Sequence, residues 1–530
     1  MRSLRGLVAR AQRARRDAQS TPAERAAWRT RAEQRREFLG RALALAASGS
    51  VAGVPARAAA RVPVLREGTR VIVVGGGLAG LAALRELADA GIAATLVEAS
   101  PRVGGRCWTE RRAFDDGQIA ERGGELVDTS HDVLIDLCAT SGIPLDDLLA
   151  SEPRGSAPAW VIDGAPYSQH AANADLLRML PALDRDARAL APDLPTYRRH
   201  RAAQLELDRM SAAGWIDTRV DGGQRSRFGR LLANAYVEEL GGDLAQISAM
   251  TVVALLNGTP REHYSPYEES DQRYHVRGGN DRIVDLLSRE LEARIETGAR
   301  LTALARLPDG RYRVTTARDA AVRDDVAERV VLALPFTLLR EVDLGGAGLR
   351  PRKLAAIREL GMGRNTKLQL QFRGRPWYVA GGNGETRIEG SYMTSWDVTR
   401  AQQGAAGILN FYSGGTTAAP AGEGSPEERA RDVLADLERA YPGIAGAWNG
   451  KAIRNAWDRH PWTRGSYALL MPGQYVAFHG AEWEPEGGLH FAGEHTSADY
   501  SGYMNGALES GRRAAQEAVR ALALRQRHVA

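Results

Sequence analysis

The chain has 530 residues, 44% hydrophobic and 25% charged, with a formal net charge of +5; this is the composition of a soluble globular protein long enough for two or more domains. Two cysteines, Cys107 and Cys138, allow one disulfide at most and exclude a cysteine-built metal cluster. The basic balance is no sign of nucleic-acid binding, because the first 60 residues hold 13 arginines against four acids and leave the remainder near −4, with no basic stripe of interleaved aromatics.

Residues 1–61 read as a leader. Arg35 and Arg36 precede Phe38-Leu39, a short apolar run and "ARAAA", which offers small-x-small cleavage sites. The apolar run, about 13 residues, is too short to span a bilayer. This resembles a twin-arginine export signal and implies a periplasmic or extracellular protein. Ahead of it, "TPAERAAW" reads as a helix start capped by Thr21, so an amphipathic N-terminal helix is the alternative. No other run is long enough for a membrane helix.

"RVIVVGGGLAGLAALRELADAGIAATLVEAS", residues 70–100, predicts strand, glycine turn, helix and second strand. Gly75 permits the tight turn and Gly77 lets a pyrophosphate approach the helix N-terminus. Gly80 allows close helix–strand packing, and Glu98 can accept from a ribose hydroxyl. The spacing makes this a dinucleotide site. "RVGGR" follows, with Gly105 and Arg106, then "GGELVD" at 123–128. The GGR segment after the ribose acid resembles flavoproteins that bind FAD in an extended form, which implies a second backbone turn at the cofactor and Arg106 in reach of its phosphates.

Residues 141–271 read as mostly helical and polar, with "FGRLLANAYVEELGG" as an amphipathic helix. "VVLALPFTLL", 330–339, reads as a buried strand and turn. In "GRNTKLQLQF", 363–372, Leu368, Leu370 and Phe372 share one face of a strand and Lys367, Gln369 and Gln371 the other. Only three of the 70 basic residues are lysines, Lys353, Lys367 and Lys451. A solvated strand face is the plain reading of Lys367, and its retention where nearly every other basic position is arginine is left open by the strand alone. Near the C-terminus, Leu489–Ala492 reads as a strand followed by Gly493-Glu494 and a helix opening near Gly502. It is a second helix N-terminus able to present backbone N–H groups.

Taken together, GxGxxG…Glu98, "RVGGR", "RGGE", "YHVRGGNDRIVDLL", "VVLALPFTLL", the lysine strand, "WTRGSY" and "FAGEHTS…GYMNGALESG" resemble the flavin-containing amine oxidase family, which includes monoamine, polyamine and L-amino acid oxidases. The resemblance threads residues 62 to about 524. It implies an α/β fold with a Rossmann-like FAD-binding domain (62–140, 272–346 and 458–524) interleaved with an α+β substrate domain (141–271 and 347–457). It carries cofactor contacts onto Gly75, Gly77, Leu78, Ala79, Gly80, Glu98, Ala99, Gly105, Arg106, Gly123, Gly124, Glu125, Arg300, Gly493, Glu494, Gly502, Tyr503 and Met504. Lys367 would hold a water at the flavin N5, and Tyr467 and Tyr503 would form an aromatic cage. Trp108, Glu125 and Trp462 would join Tyr467 and Tyr503 around the substrate.

The implied reaction is oxidative deamination. Hydride passes to the flavin, the imine hydrolyses, and O2 is reduced to hydrogen peroxide. Ser466 stands where covalently flavinylated relatives have cysteine, so FAD would be held non-covalently. Glu125 and Asp128 would repel a carboxylate, and no arginine follows "GGELVD" closely. That favours an amine; an L-amino acid, above all a basic one, is the alternative, anchored by an arginine from the helical segment. A flavin desaturase or a non-catalytic flavoprotein would have no use for the lysine and the cage. The expected partners are the small substrate and O2, in a chain that could pair as a homodimer.

Overall fold

The computed structural model describes residues 70–191, 194–258, 263–266 and 270–529. The proposed leader lies outside them, together with its cleavage site. Among the described residues no helix is long and apolar enough to cross a membrane.

Strand Arg70–Val74, "RVIVV", is apolar on both faces because both are covered. It is the central strand of a five-stranded, all-parallel sheet in the order Leu489–Phe491, Arg329–Leu332, Arg70–Val74, Ala93–Glu98, Ile295–Thr297. Such a sheet needs helices on its faces. One is Leu78–Asp89, packed against the C-terminal helix Met504–Val529. The two approach closely: a Cβ on Gly511 would lie 2.1 Å from the Ala79 carbonyl oxygen. A three-stranded antiparallel sheet, Arg300–Arg306, Tyr312–Arg318 and Ala321–Ala327, is inserted before Arg329–Leu332.

The second large sheet has seven strands: Trp448–Ala456, Asn365–Phe372, Gly407–Gly414, Thr394–Asp397, Gly382–Ile388, Ala157–Ile162 and Ala165–Pro166. Only Gly382–Ile388 and Ala157–Ile162 pair in parallel. The segment read as helical therefore also supplies two strands of this sheet, Ala157–Ile162 and Ala165–Pro166. Its helices are Gln169–Leu190, Ala202–Arg209, Ala212–Arg219, Arg227–Leu240 and Ala249–Asn257, sharing one apolar core with Trp160 and Ile162. Arg227–Leu240 is the amphipathic helix expected from the sequence. Ser226 caps it by accepting from the Gly229 amide, and Gly241 ends it in the left-handed region at φ 69°. Its polar face is buried rather than solvated, with Asn234 and Glu238 both under 5% exposed.

Strand Asn365–Phe372 differs from the plain reading of Lys367. Every residue in it is buried. Leu368, Leu370 and Phe372 enter an apolar core with Trp377 and Phe411. Gln369 and Gln371 donate to the carbonyls of Glu121 and Asp115. The polar face is thus covered by segment 115–125, not by water.

Candidate active site

A cavity of about 580 Å3 runs from the glycine turn at Gly75 to the inner face of the seven-stranded sheet. At one end, Gly75 adopts φ +103°, and a Cβ there would meet the Ala333 carbonyl oxygen at 2.6 Å. A Cβ on Gly77 would meet nothing within 4 Å, so the glycine there leaves room in the cavity rather than within the protein. Gly77 precedes helix Leu78–Asp89, and no side chain caps the helix. Its first amides are therefore available to an anion. The second turn docks on the first: the Gly104 amide donates to the Gly76 carbonyl at 2.7 Å. A Cβ on Gly105 would lie 3.3 Å from the Gly77 Cα.

Glu98 faces this cradle, accepting from the Gly76 amide at 2.5 Å and the Ser100 amide at 2.6 Å. Burial nevertheless raises its carboxyl above the usual value. A hydroxyl donor from a ribose would offset that. Arg106 lines the cavity while its Nη1 donates to the Ser466 carbonyl and, at 2.9 Å, to Glu494. Glu494 in turn accepts from the Gly502 amide at 2.9 Å. One guanidinium thus ties together three stretches that lie far apart in the sequence. Two glycine turns, an uncapped helix N-terminus and a buried acid fit a dinucleotide such as FAD.

Across the cavity, Lys367 has an acceptor for each of its three ammonium protons. They are the Glu121 carbonyl at 3.3 Å, the Gly123 carbonyl at 2.8 Å and Glu125 Oε2 at 2.6 Å. Glu125 Oε1 accepts from Trp396 Nε1 at 2.9 Å. Burial alone would push the Glu125 carboxyl up; the Lys367 charge, its hydrogen bond and that of Trp396 outweigh burial and hold it below the usual range. This corrects the expectation that Glu125 and Asp128 repel a carboxylate. Glu125 is neutralised by Lys367, and Asp128, 1% exposed, accepts from Ser270 and the Gln272 amide away from the cavity.

Tyr467 and Tyr503 both line the cavity, as does Trp462. The Tyr467 hydroxyl lies 3.2 Å from that of Tyr412, while the Tyr503 ring packs 4.9 Å from His131. Trp108 does not line the cavity. The guanidinium carbons of Arg102 and Arg122 lie 4.2 and 4.6 Å from its ring centroid. Gly80 also stays out of the cavity, where a Cβ would strike the Gly75 carbonyl oxygen at 1.8 Å, so it serves helix packing. The other expected contacts, Leu78, Ala79, Ala99, Gly123, Gly124, Arg300, Gly493, Gly502 and Met504, line the cavity. Ser466 lines it too, donating to Asn365 Oδ1 at 2.5 Å. Cys107 and Cys138 are buried, free thiols.

Sequence reasoning missed the far wall. Lys367, Tyr412, Thr394 and Arg387 are successive register partners across four strands, spanning about 14 Å at ordinary strand spacing. Glu385 lies two residues from Arg387 on the same face. Helix Arg227–Leu240 adds Glu238 and Glu239, and Arg400 pairs with Glu152 at 2.9 Å. Arg387 Nη1 is 3.9 Å from Glu238. The arginines thus come from the sheet and its following turn, not from the helical segment. Burial raises the carboxyls of Glu239, beside Glu238, and of Glu385, despite Arg387 and Arg400. Four acids therefore face two arginines.

Residues 78–519 match the profile of the flavin containing amine oxidoreductase family. A putative L-amino-acid oxidase of Bacillus subtilis is 26% identical, the alignment covering 84% of this chain and 94% of that protein. A putative flavin-containing monoamine oxidase of Mycobacterium tuberculosis is 26% identical over 84% and 96%. Cyclohexylamine oxidase from Brevibacterium oxydans superposes with a TM-score of 0.74 at 21% identity, covering 86% of this chain and 99% of that one.

Proposed function

The chain belongs to the flavin-containing amine oxidoreductase family, and from that premise we propose that it oxidatively deaminates an amine that carries positive charge, using non-covalently held FAD and O2. The observation that supports this reading is the shared cavity, which Lys367, Tyr467 and Tyr503 line together with the glycine cradle. The glycine cradle, Glu98 and Arg106 would hold FAD, which would supply the acceptor for the hydride of the C–H bond beside the neutral substrate nitrogen and the two electrons that reduce O2 to hydrogen peroxide. Tyr467 and Tyr503 flank the amine and exclude water. Lys367 keeps a positive charge beside the reacting centre; to hold a water it gives up its longest contact, the 3.3 Å bond to the Glu121 carbonyl. The imine leaves and hydrolyses to a carbonyl and ammonia or an amine.

Ser466 offers a hydroxyl at the cavity wall, and burial pushes the Cys107 thiol well up, so no thiolate stands ready to bond the flavin. Glu239 and Glu385, whose carboxyls burial raises, would be drawn into their ionised form by a neighbouring cation, and this favours a cationic substrate. Arg387 and Arg400 in the same wall favour the second reading, an L-amino acid whose carboxylate meets a guanidinium. Kinetics on arginine against agmatine, and on phenylalanine against phenethylamine, separate the two. The amines turn over on the first reading, and turnover of the amino acids alone overturns it. We also propose export through the twin-arginine route. Replacing Arg35 and Arg36 with lysine then blocks it, and unaffected export contradicts it.

A further inference from the structure

Lys367 is held by two carbonyls and one carboxylate, and only the carboxylate brings charge. The groups around it come from every neighbouring element. Glu121 is the other nearby acid, but its carboxylate is taken by His275 at 3.0 Å, Thr109 and the Asn280 amide. Trp396 presents its ring 5.5 Å from the ammonium while its N–H fixes Glu125. Tyr412 and Asn455 are the register partners on either side, and Arg122 is bound to Glu110 and Asn455. The Lys367 and Glu125 side chains are each 7% exposed. A buried ammonium without a counter-charge sheds its proton rather than remain charged.

We infer that Glu125, braced by Trp396, is the positioning residue of Lys367: it keeps the ammonium charged and aimed across the cavity. The inference rests on the proposed role of Lys367 in amine oxidation. Without Glu125 the lysine becomes a neutral, nucleophilic amine that only carbonyls orient. Glu125 does this through Lys367 and takes no part in the bonds that change.

The sequence supplies the controls. With three lysines in the chain, each can be followed by peptide mass spectrometry after brief labelling with an amine-reactive ester. Lys451, its side chain 38% exposed in an ion pair with Asp115, reports reagent activity. Lys353, fully buried elsewhere, reports unfolding. In Glu125→Gln, Lys367 labels at least tenfold faster than in the unaltered protein, while Lys353 stays protected. Glu125→Asp restores protection at least in part. In parallel, the alkaline limb of the kcat profile with an amine moves down by at least one pH unit in Glu125→Gln and returns in Glu125→Asp. Equal Lys367 labelling in both proteins overturns the inference. So does faster labelling of Lys353 and Lys367 together, which makes Glu125 a fold-holding residue. If no amine reduces the flavin, the functional reading fails while the labelling contrast stands; if amines react and the contrast is absent, this inference alone fails.

Discussion

Lys367→Met removes the ammonium and strands the Glu125 carboxylate, 8% exposed, with the Trp396 N–H as its one remaining side-chain donor. Breaking one half of a buried pair typically costs about 3–5 kcal/mol. Here the cost has a ceiling, because the stranded carboxyl can take up a proton. From its ordinary value of 4.5, protonation at neutral pH costs about 3.4 kcal/mol at roughly 1.36 kcal/mol per pH unit. The raised carboxyl of the variant makes this penalty largest at neutral pH. It shrinks as pH falls and disappears near 4.5, where the unfolded chain is protonated too. Lys367→Met combined with Glu125→Gln removes both charges and regains most of the loss. The assay is thermal unfolding of the four proteins of this cycle from pH 7 to pH 4.5. At about 2 °C per kcal/mol for a large domain, the single lysine variant melts up to roughly 7 °C lower at pH 7. A deficit that does not change with pH, or that the double variant does not relieve, refutes the buried ion pair. The same reasoning makes the double variant the cleaner probe of catalysis, since the lysine variant alone mixes lost chemistry with strain on segment 121–125.

Glu98→Ala weakens FAD retention by about 1.5–3 kcal/mol, the scale of a charge-assisted hydrogen bond; fluorescence titration of the released cofactor measures it, and unchanged retention removes Glu98 from the site. Acid precipitation releases all the flavin, and colour left in the pellet contradicts the argument from Ser466. Burial lowers His495 to about 4 and His131 to about 4, the latter against the opposing charge of Asp128. Because the unfolded chain takes up those protons first, stability falls as pH drops from about 6.5 towards 4. His495→Leu makes the decline of Tm over that range shallower, and an unaltered slope shows that the ring is not buried neutral.

The cofactor end was legible because its signals are local in the chain. Gly75, Gly77 and Glu98 sit within a single strand–turn–helix–strand unit, where Gly80 packs on the Gly75 carbonyl, Gly75 approaches Ala333 and Gly77 leaves room in the cavity. The lysine strand was legible by alternation, yet its surroundings were not, since alternation cannot say what covers a face. Lysine retention marks burial at two of the three positions: Lys353 is also buried, 3.6 Å over the Phe491 ring and bonded to the Glu482 and Glu484 carbonyls. Trp108 misled because closeness to "GGR" in sequence says nothing of where a ring turns. The far wall was illegible because Arg387, Thr394, Tyr412 and Lys367 become neighbours only through the order and register of four strands. The one usable hint was the adjacent pair Glu238-Glu239 at the end of the amphipathic helix Arg227–Leu240, which needed something to face.

The most direct measurement is anaerobic mixing of the purified, flavin-loaded protein with a panel of mono- and diamines and amino acids, followed in the visible flavin band. The account predicts that a cationic amine bleaches the band and that admitting O2 restores it with one hydrogen peroxide per flavin. A protein that binds FAD in the cavity but is bleached by no member of the panel contradicts it.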